Sequence, residues 1–256
     1  MNSVSKKIRI DKLLTDRGLA PSREKAQALI LAGVVFGNAQ RVDKASETFE
    51  ADAPIEVKGE DHPFVSRGGV KLAGALDHFQ IEVKDKVCLD VGASTGGFTD
   101  CLLQRGAKKV FAVDVGYGQF HYKLRGDPRV VLFEKVNFRN FEAEKIPEKM
   151  DLIVIDVSFI SLSKILPSAL PFLRKEGKIL ALVKPQFELD PSEAKKGVVR
   201  SEDLQRKAVL KIDAVAKKLG LQVLGEVKSS LKGPKGNQEY FLFISPLFSN
   251  LQIVLG

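Results

Sequence analysis

From residue 87 onward the chain repeats one unit, an apolar run followed by a turn and then an amphipathic stretch. The runs are "KVCLDV", "KKVFAVDV", "RVVLFE", "MDLIVIDV" and "GKILALVK". Runs apolar on both faces belong in the middle of a parallel sheet, where helices cover each side. Helix-patterned stretches lie at 97–105, 160–173 and 201–219, and another at 67–79 precedes the first run. Such alternation predicts an α/β domain with a doubly wound, mostly parallel sheet. Two further runs, over 221–230 and 238–246, have no room for a helix between them and must pair antiparallel.

The first 60 residues do not follow this pattern. "IDKLLTDRGL" places Ile10, Leu13 and Leu14 on one helical face, with Gly18 as a stop. "SREKAQALILAG" offers Ser22 as an N-cap and Gly33 as a terminator. "VVFGN" and "APIEVKG" read as short strands, and "KGEDHP" as a boundary. The expected organisation is a small α+β domain over 1–61 and the α/β domain over 62–256. Charge divides the first part. Residues 1–41 carry eight Lys/Arg against three acids, and residues 42–62 carry two against seven. The basic residues therefore lie in the first helices, within a chain of net charge +8 that suits a polyanionic partner. No apolar stretch approaches the roughly 20 residues of a membrane span. The N-terminus lacks a signal-peptide core, and two cysteines, Cys88 and Cys101, make neither a disulfide framework nor a metal set. A cytosolic protein without a structural metal is expected. Oligomeric state is not legible.

"CLDVGASTGGFTD" is a strand, a glycine turn and a helix start. Its spacing fits neither G-x-G-x-x-G nor a Walker loop, and Asp90 before the turn would repel a phosphate. An acid there suits the amino group of a cationic ligand such as S-adenosylmethionine. The next strand ends in Asp114, where a carboxylate can accept both ribose hydroxyls of an adenosine. Asn137, in "EKVNFRNF", is placed near an adenine edge. Each alone would be a turn glycine or a capping acid; in order at successive strand ends they favour adenosylmethionine. The expected cofactor contacts are Asp90, Gly92, Ser94, Thr95, Gly96, Gly97, Phe98, Asp114 and Asn137. Seven strands closing with an antiparallel pair is also the sheet of Rossmann-like methyltransferases.

The fourth and fifth strands of that domain end in Asp156 and Lys184. A strand-end lysine by itself is most simply one that snorkels to water. Here Lys71 precedes the first strand and Glu239 opens the last. No Asn/Asp-Pro-Pro-aromatic loop for amine methylation is present, and neither cysteine sits at a strand end. A ribose hydroxyl must lose its proton as it attacks a methyl group, and a lysine made less basic by burial and a neighbouring cation can take it. Asp156 and Glu239 would then orient the two lysines, as two ion pairs.

These residues resemble the FtsJ-like ribose 2′-O-methyltransferases, whose Lys-Asp-Lys-Glu tetrad matches Lys71, Asp156, Lys184 and Glu239. The likeness is closer still to the TlyA family, whose members carry the names hemolysin A and rRNA methyltransferase. "VSRGGVKL", "LDVGASTGGFTDCLL", "VDVGYGQ", "DVSFISL", "LVKPQFE" and "GNQEYFLF" carry it. The N-terminal part is similar to an S4-type RNA-binding domain, through Arg9/Asp11, Ser22/Arg23/Ala26 and Gly33, with "VVFGNAQ" as a mild departure at the turn. The resemblance implies adenosylmethionine-dependent 2′-O-methylation of cytidine in 23S rRNA, in some members also in 16S rRNA. With the charge distribution, it makes Arg9, Lys12, Arg23 and Lys25 the expected phosphate contacts. The name hemolysin raises a rival, a membrane-active protein without catalysis. That would call for a span or a long basic amphipathic helix, and the sequence offers neither.

Overall fold

The computed structural model describes residues 7–58 and 63–247. The expected boundary at 61/62 lies outside the described residues. In the N-terminal part, β1 (Ile8–Arg9) runs into α1 (Ile10–Asp16), followed by α2 (Arg23–Ala32). Ser22 Oγ accepts the Lys25 N–H at 3.2 Å, and Gly33 ends α2 at φ +76°, a conformation only glycine adopts readily. The strands β2 (Val35–Gly37), β3 (Gln40–Arg41), β4 (Thr48–Phe49) and β5 (Ile55–Val57) follow. They form a three-stranded sheet, β3-β2-β5, and a separate β1-β4 pair. Ile10, Leu14, Ala26, Ile30 and Val35 make the small core that holds these pieces together.

The second part opens with α3 (Arg67–His78) and then alternates: β6 (Val87–Val91), α4 (Gly97–Gln104), β7 (Lys109–Val113), α5 (Tyr122–Arg125), β8 (Val130–Phe133), β9 (Met150–Ile155), α6 (Leu166–Ala169), β10 (Leu173–Val183), α7 (Pro185–Glu188), α8 (Glu202–Lys218), β11 (Leu221–Lys228) and β12 (Tyr240–Pro246). The sheet order is β11-β12-β10-β9-β6-β7-β8. Pairings from β8 through β10 are parallel, and β12 is antiparallel to both β10 and β11. The expected seven-stranded α/β fold is present, with one refinement. The last strand does not extend the edge; it inserts between β10 and β11.

Alternation along the strands explains the two cores. Leu89, Ile153, Ile155, Ile179 and Ala181 face α8, through Ala208, Val209 and Ile212. Cys88, Leu152, Val154, Leu180 and Leu182 face α3 and α4, through Leu72, Leu76, Phe98 and Leu102. Both cysteines are buried thiols. The single helix expected over 160–173 is instead three short pieces: 3-10 turns over 162–164 and 170–172 flank α6. Pro167 and Pro171 each start a turn, where the missing N–H costs nothing, and neither can sit inside a continuous helix. The third strand also stops earlier than "EKVNFRNF" suggested; it ends at Phe133, and Asn137 caps a 3-10 turn by accepting the Arg139 N–H at 3.2 Å.

Candidate active site

Four parallel strands deliver their last residues to one edge of the sheet. Gly92 follows β6, Asp114 follows β7, Asp156 follows β9 and Lys184 follows β10. The antiparallel sense of β12 adds a fifth group. Tyr240 pairs with Val183, so β12 begins where β10 ends, and Glu239 lands beside Lys184. Lys71 reaches the same place from α3. Lys71, Asp156, Lys184 and Glu239 all line one cavity of about 220 Å³.

Within it the charges form two pairs. Lys184 Nζ lies 2.5 Å from Asp156 Oδ1 and donates to Ser158 Oγ at 2.9 Å. Lys71 Nζ lies 2.5 Å from Glu239 Oε2. Lys184 is only 8% exposed, so its head does not reach out to water and the snorkelling alternative fails. Glu239 is fully buried, and its Oε1 has no hydrogen-bond partner among the described residues. A Cβ at Gly233 would collide with that oxygen, so glycine lets the loop before β12 lie on the carboxylate.

The electrostatics differ from expectation at one point. Burial alone would drive Lys184 toward the neutral amine. Asp156, and Glu239 behind it, outweigh burial and hold its pKa above the ordinary lysine value. Burial likewise opposes ionisation of Asp156, but Lys184 and then Lys71 keep its carboxyl below the usual range. Lys184 thus stands as a cation in this cavity, whereas the sequence pointed to a lysine less basic than usual. Its ion-pair partner is the Asp156 carboxylate, and Glu239 acts in the same direction.

A second cavity of about 330 Å³ adjoins the first and shares Gly92, Ser94, Asp156 and Ser158 with it. Its walls are largely apolar, from Val113, Val115, Val136, Phe138 and Ile160, with Asp114, Gln119 and Asn137 as polar groups beyond the shared ones. Asp114 accepts the backbone N–H of Ser94 at 2.8 Å and that of Gly116 at 2.6 Å. Those bonds fix the carboxylate, whose remaining lone pairs stay free to accept hydroxyls. An apolar slot with one anchored carboxylate suits an adenosine, and the opening toward Lys184 suits the reactive end of adenosylmethionine.

The other expected cofactor residues separate into groups. Thr95, Gly97 and Phe98 line the tetrad cavity and not the adenosine-like one. Phe98 is chiefly a core residue, 3% exposed and tilted against Phe241 at 6.0 Å between ring centroids. Gly96 lines neither cavity; it takes φ +93° at the start of α4. Asp90 is fully buried and also lines neither. Its Oδ2 accepts the Thr99 hydroxyl at 2.7 Å, which ties β6 to α4, and its Oδ1 has no partner among the described residues. Burial pushes the Asp90 carboxyl up to about 7, helped by Asp156 and Asp114 and opposed by the Thr99 hydroxyl. Sequence reasoning missed Ser158, two residues past Asp156 in "DVSF", and the cations Arg41, Arg67 and Lys232, which also line the tetrad cavity. The run "SRGG" next to Lys71 was the available signal for Arg67.

Comparison with known proteins settles the lineage. An FtsJ-like methyltransferase model matches residues 64–245, and an S4 domain model matches residues 8–55. The 16S/23S rRNA (cytidine-2′-O)-methyltransferase TlyA of Mycobacterium tuberculosis is 44% identical over 94% of this chain and 91% of its own. Hemolysin A of Brachyspira hyodysenteriae is 42% identical over 91% of this chain and 98% of its own. The chain belongs to the TlyA family. A Streptococcus thermophilus structure solved under the name of a hemolysin superposes with TM-score 0.73 at 41% identity, over 95% of this chain and 91% of that one. Family membership makes this TlyA protein an enzyme of the methyltransferase class.

In this TlyA chain the S4 residues are organised by a buried acid. Asp11, fully buried, accepts from Arg9 at 2.9 Å, Arg23 at 3.0 Å and Gln27 at 3.1 Å. Arg9, first, then burial in opposition, then Gln27 and Arg23 set its carboxyl, and the outcome is well below the usual range. Arg9 and Arg23 remain about half exposed and share one carboxylate. Lys12 pairs with Asp16 on the exposed side of α1. Lys25 lies over the ring of Tyr122 at 5.6 Å, bridging the two parts of the TlyA chain. No helix among the described residues is long and apolar enough to cross a membrane.

Proposed function

We propose that this chain transfers a methyl group from S-adenosylmethionine to the 2′-hydroxyl of a cytidine ribose in 23S rRNA. The observation that carries the reading is the convergence of Lys71, Asp156, Lys184 and Glu239 in one cavity that opens onto the adenosine-like slot. Adenosylmethionine, when bound, supplies a methyl group on a sulfonium. The residues that would hold it are Asp114 and Asn137 around the adenosine and the turn from Gly92 to Ser94 along the rest. Asp90 supports that turn from beneath through Thr99.

The chain's own part is to bring a ribose oxygen into line and to take its proton. Alignment of reacting groups is worth several kcal/mol, and proton transfer by a positioned base about 10²–10⁴-fold. Lys184 is the base: its head is fixed by Asp156 and Ser158 at the mouth of the slot. Its raised pKa means that the neutral amine is a minor form near pH 7, so the proton must be shed before attack. That proton leaves to solvent, since Asp156, held below the usual carboxylate range, is a far weaker base than the amine, and the freed amine then takes the hydroxyl proton. Lys71, held by Glu239, lowers the cost of negative charge on the ribose oxygen.

The S4 residues Arg9, Lys12, Arg23 and Lys25 contact RNA phosphates and bring the nucleotide to the cavity. An rRNA substrate places the enzyme in the cytosol. Among relatives, one from Mycobacterium tuberculosis is named for both 16S and 23S rRNA and one from Campylobacter jejuni for 23S rRNA alone. Mapping 2′-O-methyl sites on both rRNAs from cells with and without the protein tests the reading. Loss of one cytidine modification in 23S rRNA is expected; an unchanged map overturns it. Leakage from lipid vesicles, with no change in the map, would favour the lytic alternative.

A further inference from the structure

One buried acid is left unused by this chemistry. Glu188 closes the run "LVKPQFE", four residues past Lys184, and is only 3% exposed. Its Oε2 accepts the hydroxyl of Ser161, and its Oε1 accepts the backbone N–H of Leu162 at 2.8 Å. Ser161 and Leu162 close the other catalytic run, "DVSFISL", five and six residues past Asp156. Burying a carboxylate is costly, and an apolar side chain would pack as well. The hydrogen bonds indicate what the carboxylate does: it holds two donors from the neighbouring loop.

We propose that Glu188 is a positioning residue for methyl transfer, clamping the loop that carries Asp156 to the turn that carries Lys184 and so fixing their separation. The proposal rests on the catalytic roles given above to Asp156 and Lys184. Three observations support it. The turn after Lys184 is rigid, with Phe187 N–H on Lys184 O at 2.9 Å and Leu189 N–H on Pro185 O at 3.1 Å. Lys211 on α8 donates to the Glu188 carbonyl and anchors the clamp to the body of the protein. The clamped loop is also under backbone strain, since Phe159 takes φ +64° while 91% exposed. Such a conformation persists only where its surroundings over-determine it. Asp156 N–H on Val91 O at 2.9 Å holds one end of that loop, and Glu188 holds the other. Phe159 and Phe187 touch between them, with ring centroids 5.1 Å apart.

The test compares Glu188→Ala, Glu188→Gln, Ser161→Ala and Lys184→Arg in the full-length enzyme, on ribosomal RNA with adenosylmethionine. Glutamine can still accept the Leu162 N–H, and its amide can donate to the Ser161 oxygen. Misplacement by about 1 Å costs on the order of 10²-fold in rate. Glu188→Ala is therefore expected to lower kcat by about 10–100-fold with KM for RNA and the Kd for adenosylmethionine within about twofold. Glu188→Gln should recover most of kcat, and Ser161→Ala should lose part of it. A parent-like kcat in Glu188→Ala overturns the proposal. So does an alanine variant whose loss appears only as less folded protein, or a glutamine variant no better than alanine. If Glu188→Ala does not fold, Ser161→Ala decides, and a parent kcat there overturns it. Lys184→Arg separates the two levels: if it is inactive while Glu188→Ala is active, only the clamp fails. If Lys184→Arg is active, the clamp fails together with the catalytic reading.

Discussion

At Lys184 two opposing effects meet: burial disfavours the charge and two carboxylates favour it, and the carboxylates prevail. The amine fraction then grows as pH rises toward a pKa above the usual lysine value. Single-turnover methyl transfer should rise about tenfold per pH unit between about pH 6.5 and 8.5; a flat profile would show that Lys184 is not the base. Lys184→Arg keeps the charge but cannot yield a proton, and should lose about 10²–10⁴-fold in rate while binding adenosylmethionine normally by calorimetry. Asp90 gives a pH effect of opposite origin. Its carboxyl is raised to about 7 by burial, so between about pH 4 and 7 the folded state binds more protons there than the unfolded state. Stability contributed by this group is present at low pH and declines as pH rises through that window. Asp90→Asn should remove this decline, read as a flatter dependence of the urea midpoint on pH than the parent shows. The tetrad was legible because each member adjoins an apolar run or a helix, and strand ends converge in such folds. Glu188 and Ser158 were not, because their partners lie across the chain and no periodic pattern marks them. The true basicity of Lys184 was equally hidden, since it depends on distances that sequence does not contain.

Among the elements, the turn after β6 shows how tightly the site is assembled. Gly92 sits at φ +87°, and a Cβ there would collide with the Asp156 carbonyl oxygen. That approach is backbone against backbone, so no side chain can swing aside. Gly92→Ala should part the β6 and β9 loops, cost about 1–3 kcal/mol by urea unfolding and weaken adenosylmethionine binding. Unchanged calorimetric affinity would show that the two loops can separate without harm to the slot. Helix boundaries with chemical markers were readable, such as Ser22 and Gly33 around α2. The run 160–173 was not, because its apolar spacing fits a helix and only Pro167 and Pro171 break it into turns. The antiparallel pairing of β11 and β12 was evident from the short connection, but not the insertion of β12 beside β10. That position is decided by the long-range match of two apolar strands.

Across the whole molecule, the N-terminal part does more than stand beside the enzyme. Ile30, Leu31, Gly33, Arg41 and Asp43 form one wall of the tetrad cavity, and Asp43 accepts the Lys235 N–H at 3.4 Å. Removing residues 1–60 should lower RNA affinity and flatten its salt dependence by roughly 0.7–0.9 in logarithmic slope for each phosphate no longer neutralised. Filter binding at several salt concentrations measures this, and an unchanged slope would place the RNA anchor elsewhere. The two-part plan was legible from the change in pattern and in charge near residue 60; the shared wall was not, since nothing in either part alone announces it. The place of β12 also sets a timetable for synthesis. Chains emerge from their amino ends, and β10 must wait with an open edge until residues 240–246 appear to cover it. An open apolar edge invites pairing with other chains, so the nascent protein is exposed to aggregation until that strand emerges. Glu239 arrives with that same strand. A chain that terminates before residue 239 would thus lack both its sheet closure and the carboxylate that pairs with Lys71.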